Sequence, residues 1–191
     1  MKAAVLALQG AFIEHEQVLH KLGVETVQIR QLKDWTEFMS PSPLGGVRGW
    51  LLVLPGGEST VQMRLLHELG LFEPIRKAIS DGLPVLGTCA GMILLSDGYL
   101  GTMHIRVRRN AYGRQLGSFH TTGVVDGIGA DVPMTFIRAP YIEKVLADDC
   151  SPIAIVDGHI VAARQGNQIA TAFHPELDED LRLHQFLIDM I

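Results

Sequence analysis

Cysteine is scarce in this 191-residue chain: only Cys89 and Cys150 are present. Two thiols cannot build a disulfide framework, so each is core, bystander or reagent. Long hydrophobic runs are also missing. Ala3 to Leu8 and Trp50 to Leu54 are the longest, far short of the roughly 20 residues a spanning helix needs. The apolar stretch near the start meets Gln9 and Gly10 too soon for a signal-peptide core, so the expectation is a cytoplasmic protein without membrane association. Positive charge is not in excess either: 16 Lys and Arg face 21 Asp and Glu, a net charge of −5, which argues against a generic nucleic-acid-binding surface. Repeats and low-complexity tracts are absent. What remains is 47% hydrophobic and 19% charged, the composition of a well-cored globular protein, and its length suits one domain over residues 1–191.

The pattern along the chain alternates strands and helices. Ala3 to Leu8 is apolar without alternation, as in a strand covered on both faces. Positions 12, 15, 19 and 22 follow at helical spacing if His15 counts as semi-apolar, with Gly23 as a stop. Val24 to Ile29 reads as a second strand, and residues 33 to 49, with Ser40-Pro41-Ser42-Pro43 and Gly45-Gly46, as a surface loop. Trp50 to Leu54 and Val85 to Gly87 are short buried strands, each running through a glycine-containing turn into a helix. The second half is richer in strands, including a hairpin around Asp157-Gly158-His159, and ends in a helix carrying Leu183, Phe186, Leu187 and Met190. The expected fold is an α/β three-layer sandwich with a mostly parallel central sheet and an antiparallel insertion in the second half.

Gly87-Thr88-Cys89-Ala90-Gly91 places a cysteine between a buried strand and a buried helix, with small neighbours that a sharp turn requires. That is the logic of a nucleophile elbow, and the helix N-terminus favours a thiolate. A base is then needed, with a group to orient it. His174 ends the apolar strand Ile169 to Phe173, and in an extended segment Glu176 would point the same way, leaving the other ring nitrogen for Cys89. In Pro55-Gly56-Gly57-Glu58-Ser59-Thr60 the glycines allow close backbone approach, so one of the N–H groups there, with Gly57 a candidate, can join that of Ala90 in an oxyanion hole. A phosphate loop is disfavoured there, since the Gly-Lys-Ser/Thr ending is missing and Glu58 would repel phosphate. Arg106, Arg108, Arg109 and Arg114 form a basic cluster; Arg109 or Arg138 suits the α-carboxylate of an amino acid. Cys150 follows Asp148-Asp149 and reads as a bystander with a raised pKa. No metal-ligand spacing is present.

These motifs resemble the class I, triad-type glutamine amidotransferases, and within them the glutaminase subunits of pyridoxal 5′-phosphate synthase. The resemblance rests on Leu8-Gln9-Gly10-Ala11, Leu54 to Thr60, Gly87 to Gly91, Arg109-Asn110-Ala111-Tyr112-Gly113-Arg114-Gln115, Phe136-Ile137-Arg138-Ala139-Pro140 and Phe173-His174-Pro175-Glu176-Leu177. It implies a flavodoxin-like fold and hydrolysis of L-glutamine to glutamate and ammonia, with Cys89 as nucleophile, His174 as base and acid, and Glu176 orienting it. It further implies glutamine held by Gly57, Glu58, Ser59, Arg109, Ile137 and Arg138, and Gln9 at a partner interface helping the oxyanion hole. The implied partner is a (β/α)₈-barrel synthase subunit in a 12+12 complex. Pyridoxal phosphate would be a product of that complex, leaving this chain with no cofactor and no metal. Residues 40 to 46 are longer than that family's pattern and the Ser96 to Met103 connection is shorter. The rival expectations are another cysteine hydrolase of the same architecture, such as a peptidase or deglycase, and a catalytically silent regulatory subunit.

Overall fold

A computed structural model describes residues 1–40, 49–109 and 118–191. The continuous apolar runs form the middle of the sheet because only strands flanked by helices can bury both faces. In chain order the first half gives β1 (Lys2–Leu6), α1 (Phe12–Lys21), β2 (Glu25–Ile29), α2 (Leu32–Phe38), β3 (Trp50–Leu54), α3 (Ser59–Glu68), α4 (Phe72–Ser80), β4 (Val85–Thr88) and α5 (Ala90–Leu95). The second half gives β5 (Ile105–Arg108), β6 (Ser118–Val125), β7 (Gly129–Ile137), β8 (Tyr141–Val145), β9 (Cys150–Val156), β10 (His159–Gln165) and β11 (Gln168–Thr171). A 3₁₀ turn (Pro175–Leu177) and α6 (Arg182–Ile188) close the described elements.

The nine-stranded sheet runs β2-β1-β3-β4-β11-β10-β8-β5, with β9 also paired to β10. From β2 to β11 every pairing is parallel, and from β11 onward every pairing is antiparallel. β6 and β7 form a separate antiparallel ribbon. The expected parallel core and antiparallel insertion are therefore both present. Leu51 to Leu54, Val85 and Leu86 are fully buried, as are Ala3 to Leu6. No helix among the described residues is long and apolar enough to cross a membrane.

The parallel order places the topological switch between β1 and β3, whose chains leave in opposite lateral directions. Ligands of open α/β sheets collect at the carboxyl ends of strands at such a switch. Here those ends are followed by Gln9-Gly10, Pro55-Gly56-Gly57, Cys89 and His174, so four separate loops converge at one place.

Two expectations are corrected. Residues 33 to 49 are not one loop: α2 starts at Leu32, opened by a capping box in which Asp34 accepts the Gln31 N–H at 3.1 Å. Trp35 and Phe38 from α2 are buried, and the Phe38 and Trp50 rings lie 5.0 Å apart, so apolar anchoring outweighs the turn-forming residues downstream. Residues 41–48, and with them most of the 40 to 46 stretch, lie outside the described residues. The second correction concerns Glu176, which sits in the 3₁₀ turn rather than in extended chain.

Candidate active site

Cys89 is held in an unusual backbone state. It caps α5 with φ 49° and ψ −102°, a region that non-glycine residues rarely adopt and that persists only where the surroundings fix it. Its N–H donates to the Thr171 carbonyl at 2.7 Å, tying the turn to β11. The neighbouring glycines are required by close approach: a Cβ on Gly91 would lie 1.9 Å from the Leu54 carbonyl oxygen, and one on Gly87 would lie 2.6 Å from the Gly91 carbonyl oxygen. The thiol residue is buried but lines an open pocket of about 320 Å³ that His174 also lines.

His174 leaves the end of the strand region with its N–H donating to the Thr135 carbonyl at 2.8 Å. The 3₁₀ turn then folds Glu176 back, so that His174 Nδ1 and Glu176 Oε1 are 2.6 Å apart. Glu176's side chain is fully buried and that of His174 is nearly so. Burial opposes a charge on the imidazole, yet the nearness of Cys89 and the hydrogen bond and charge of Glu176 raise His174 to about 10. Glu176 moves the other way. Burial would raise it, but the neighbouring His15 ring and the hydrogen bond and charge of His174 hold the carboxyl below its ordinary range. Nε2 of His174 has no closed hydrogen bond among the described residues, which leaves it available to the pocket.

The opposite wall comes from the first and third strands. Gly10 has φ +103°, and a Cβ there would sit 1.8 Å from the Gly56 carbonyl oxygen, which accepts the Ala11 N–H at 3.1 Å. Gln9 reaches into the site: its Oε1 accepts the Glu58 N–H at 2.6 Å, and its carbonyl accepts from Gln62 Nε2 at 2.9 Å. Gln9 is thus a lining residue that holds the Gly57-Glu58 backbone. Gln62, which no sequence motif marks, also donates to the Pro55 carbonyl at 3.2 Å and so fixes both loops. Ser59 is buried, and its Oγ has no partner among the described residues.

The pocket lining includes one ion pair between acidic and basic side chains. Glu58 Oε1 accepts from Arg109 Nη2 at 3.1 Å and from Thr60 Oγ1 at 2.9 Å. The Thr60 hydrogen bond chiefly, assisted by Arg109 and Arg138, holds the Glu58 carboxyl below its ordinary value. Of the basic cluster, Arg109 lines the pocket whereas Arg106 and Arg108 belong to β5, opposite Lys144 and Tyr141 of β8, and do not. Arg114 lies outside the described residues. Arg138 has φ 44° and lines the pocket with Ile137, as do Gly57 and Ala90. All the site residues named from the sequence therefore border one cavity, except Glu176, which lies behind His174.

Cys150 opens β9, away from the pocket. Burial, and then the charge of Asp149, pushes its thiol up to about 11, so desolvation outweighs the acidic neighbours from which the sequence alone suggests the shift. No group of three or more potential metal ligands occurs among the described residues.

Sequence reasoning missed two buried histidines. His15 Nδ1 lies 2.9 Å from His184 Nε2, and His15 Nε2 lies 3.1 Å from Thr88 Oγ1 and 3.3 Å from Glu176 Oε2. The sole hint was the helical spacing that turned position 15 inward.

Comparisons with known proteins converge on one family. Residues 5–191 match the SNO glutamine amidotransferase family. Relatives named pyridoxal 5′-phosphate synthase subunit PdxT are 52% identical in Desulfitobacterium hafniense (strain DSM 10664 / DCB-2), 51% in Streptococcus pneumoniae (strain CGSP14) and 50% in Haemophilus influenzae (strain PittGG). Each alignment covers 100% of this chain and 94%, 97% and 98% of the respective relative. A crystal structure of a glutamine amidotransferase superposes with a TM-score of 0.85 at 37% identity, covering 98% of this chain and 97% of the other. A glutamine amidotransferase from Thermotoga maritima shares the fold, with a TM-score of 0.62 at 13% identity over 100% of this chain and 94% of its own.

Proposed function

The chain belongs to the SNO glutamine amidotransferase family, and we propose from that premise that Cys89, His174 and Glu176 are the triad with which it hydrolyses L-glutamine to L-glutamate and ammonia. The observation that carries the assignment of roles is the convergence of Cys89 and His174 on one pocket, with Glu176 hydrogen-bonded to the far nitrogen of the ring.

The chemistry follows from that arrangement. The raised pKa of His174 favours an imidazolium beside the thiol, so a Cys89 thiolate attacks the side-chain amide carbon of glutamine. The C–O π electrons move to oxygen, and the oxyanion rests on the backbone N–H groups of Gly57 and Ala90. As the tetrahedral species collapses, the C–N bond breaks and His174 gives its Nε2 proton to the departing nitrogen, releasing ammonia and leaving a thioester. His174, now neutral, takes a proton from water as its oxygen attacks the thioester carbon; the C–S bond breaks, the new carboxyl gives its remaining proton to solvent as glutamate leaves, and the thiolate–imidazolium pair is restored. Glu176 remains ionised throughout and keeps the Nδ1–H of His174 in place.

Glutamine is held by its α-carboxylate on Arg109 and Arg138 and by Gly57, Glu58, Ser59 and Ile137 around its stem and amine. The unpartnered Ser59 Oγ supports this, because a buried hydroxyl without a partner is costly until a ligand supplies one. Arg109 must share or leave Glu58 to receive the carboxylate, and Glu58 is then free for the ammonium group of the substrate.

The ammonia passes to the synthase subunit for pyridoxal 5′-phosphate formation, as the names of the PdxT relatives support. We extend this to a (β/α)₈-barrel partner, a 12+12 assembly and a cytoplasmic setting. Gln9 at the pocket rim is the residue through which docking acts on the Gly57-Glu58 backbone. The test is ammonia release from glutamine by the chain alone, with the synthase subunit, and with Cys89→Ala in the complex. Release that needs the partner and is abolished by Cys89→Ala is expected. No release with the partner, or release unaffected by Cys89→Ala, refutes the assignment; a peptidase or deglycase would act on its own substrate without any partner.

A further inference from the structure

Burying a histidine pair in an apolar helix stripe costs free energy unless each ring nitrogen is used. His15 stands on the inward face of α1 and His184 on that of α6, both fully buried, with ring centroids 5.2 Å apart at 53°. They meet behind the active site. Of the two Glu176 carboxylate oxygens, Oε1 is bound to His174, whereas Oε2 is buried without a closed hydrogen bond and faces His15 Nε2 at 3.3 Å.

The tautomers follow from counting protons. A single hydrogen lies between His15 Nδ1 and His184 Nε2, 2.9 Å apart. If His15 supplied it, the lone pair of His15 Nε2 would face the Glu176 carboxylate, and His184 Nδ1, which has no partner, would carry a buried orphan N–H. If His184 supplies it, His15 Nε2–H points at Thr88 Oγ1 and Glu176 Oε2, and only a lone pair on His184 Nδ1 stays unused. Buried N–H groups without partners are the rarer defect, and a carboxylate requires a donor, so the second arrangement is favoured. Both rings are also kept neutral. Burial lowers His15 against the opposing charge of Glu176, with His174 lowering it and Glu14 raising it further, and burial together with His15 pushes His184 down to about 3. Glu176 on the 3₁₀ turn, His174 at that turn's N-cap, His184 on α6 and Glu14 on α1 are thus the titratable groups around His15.

We propose that His15, fixed as a neutral Nε2–H donor by His184, locks the Glu176 carboxylate so that Oε1 stays aimed at His174, making His15 a positioning residue for glutamine hydrolysis by the Cys89 thiol. The inference rests on the triad assignment above and deepens it. One direction of donation then runs from His184 through His15 to Glu176, with His174 donating to the same carboxylate from the other side. Thr88 links the array to the nucleophile, since it immediately precedes Cys89.

Two measurements on the full chain test this. Nitrogen-15 spectra of labelled histidines should show His15 and His184 both as neutral Nε2–H tautomers through the range around pH 6.5 in which an exposed histidine titrates. Glutaminase kinetics in the complex with the synthase subunit should show that His15→Leu lowers kcat by roughly 10- to 100-fold with KM little changed, the range over which outer partners of oriented ligands act. In the same variant His174 should titrate about one pH unit lower, and His15→Gln, whose amide can donate from nearly the same place, should recover most of both effects. An Nδ1–H or protonated His15 in the unmodified protein overturns the proposal, as does a folded His15→Leu with unchanged kcat and unchanged His174 titration. If His15→Leu does not fold, His184→Leu and the unmodified spectra decide in its place: a His15 that keeps its tautomer and a full kcat without His184 also overturns it. Absence of ammonia release by the unmodified complex would refute the glutaminase assignment instead, while the tautomers would still be readable.

Discussion

Gly56 lies against the imidazole of His174 so closely that a Cβ on it would sit 2.3 Å from Cε1 and 3.0 Å from Nδ1. The third strand's exit loop is therefore one wall of the slot that holds the base. The ring is clamped between that backbone and Glu176, which limits its rotation to the orientation serving the pocket.

Gly56→Ala should consequently displace the imidazole, since its Cβ would also sit 3.3 Å from the proton-carrying Nε2. A misplacement of about 1 Å costs on the order of 10²-fold in rate, so kcat for glutamine should fall by about that factor while KM changes less. Steady-state kinetics of the complex, with circular dichroism to verify folding, checks it. A variant at full kcat would show that the ring has room that the distances deny.

Glu176→Gln keeps the shape of the side chain but removes the charge that sustains the His174 imidazolium. The raised value of about 10 should fall, because burial opposes the charged ring and only Cys89 would then remain to support it. Glutaminase activity should drop between about 10²- and 10⁴-fold, and the optimum pH should shift with it. Rate against pH for both proteins is the measurement.

Arg109 is the pocket arginine paired to Glu58 at 3.1 Å. Arg109→Ala should raise KM for glutamine roughly 10- to 100-fold, the worth of a charge-assisted hydrogen bond, with a smaller effect on kcat. Equal losses in KM and kcat, or none in either, would place the α-carboxylate elsewhere.

The buried histidines set opposite pH limits on stability. His184 is lowered to about 3 when folded, against an unfolded value near 6.5, so the unfolded chain binds the extra proton and the stability present above pH 6.5 or so is lost as pH falls towards 3. His15 acts in the same direction. His174 is raised to about 10, so its contribution is complete below about pH 6.5 and is lost as pH rises through 10. Thermal or urea unfolding against pH should show both limbs. His184→Leu should reduce the acid slope by about 1.4 kcal/mol per pH unit, the value of one proton. An unchanged acid slope would mean that His184 already carries its proton in the folded state.

The extent to which the chain declares itself differs between elements. β4, Cys89 and α5 were readable because Gly87 and Gly91 serve a local need, a turn so tight that Leu54 and Gly91 backbones occupy the space of their Cβ atoms. β1 and β3 were readable because unbroken apolar runs suit only a doubly covered strand. Helix α2 was not, since Ser40 and the prolines and glycines after it speak for a turn more loudly than Trp35 and Phe38 speak for a helix that docks on Trp50. The Glu176 contact was anticipated with a different backbone: a 3₁₀ turn, not extended chain, brings the carboxylate to Nδ1.

By itself the sequence determined an α/β protein of net charge −5, a cysteine at a strand-to-helix turn, and the residues that would serve it, because strand burial, turn sterics and short motifs are properties of neighbouring residues. Tertiary structure alone decided what stands behind the site. His15 meets Thr88 across 73 positions and His184 across 169, and Gln9 holds the Glu58 N–H across 49. Periodicity can say that a side chain faces inward; which polar group receives it there depends on how distant elements pack, since a buried polar atom is stabilised only by the partner that the completed fold brings within hydrogen-bond reach.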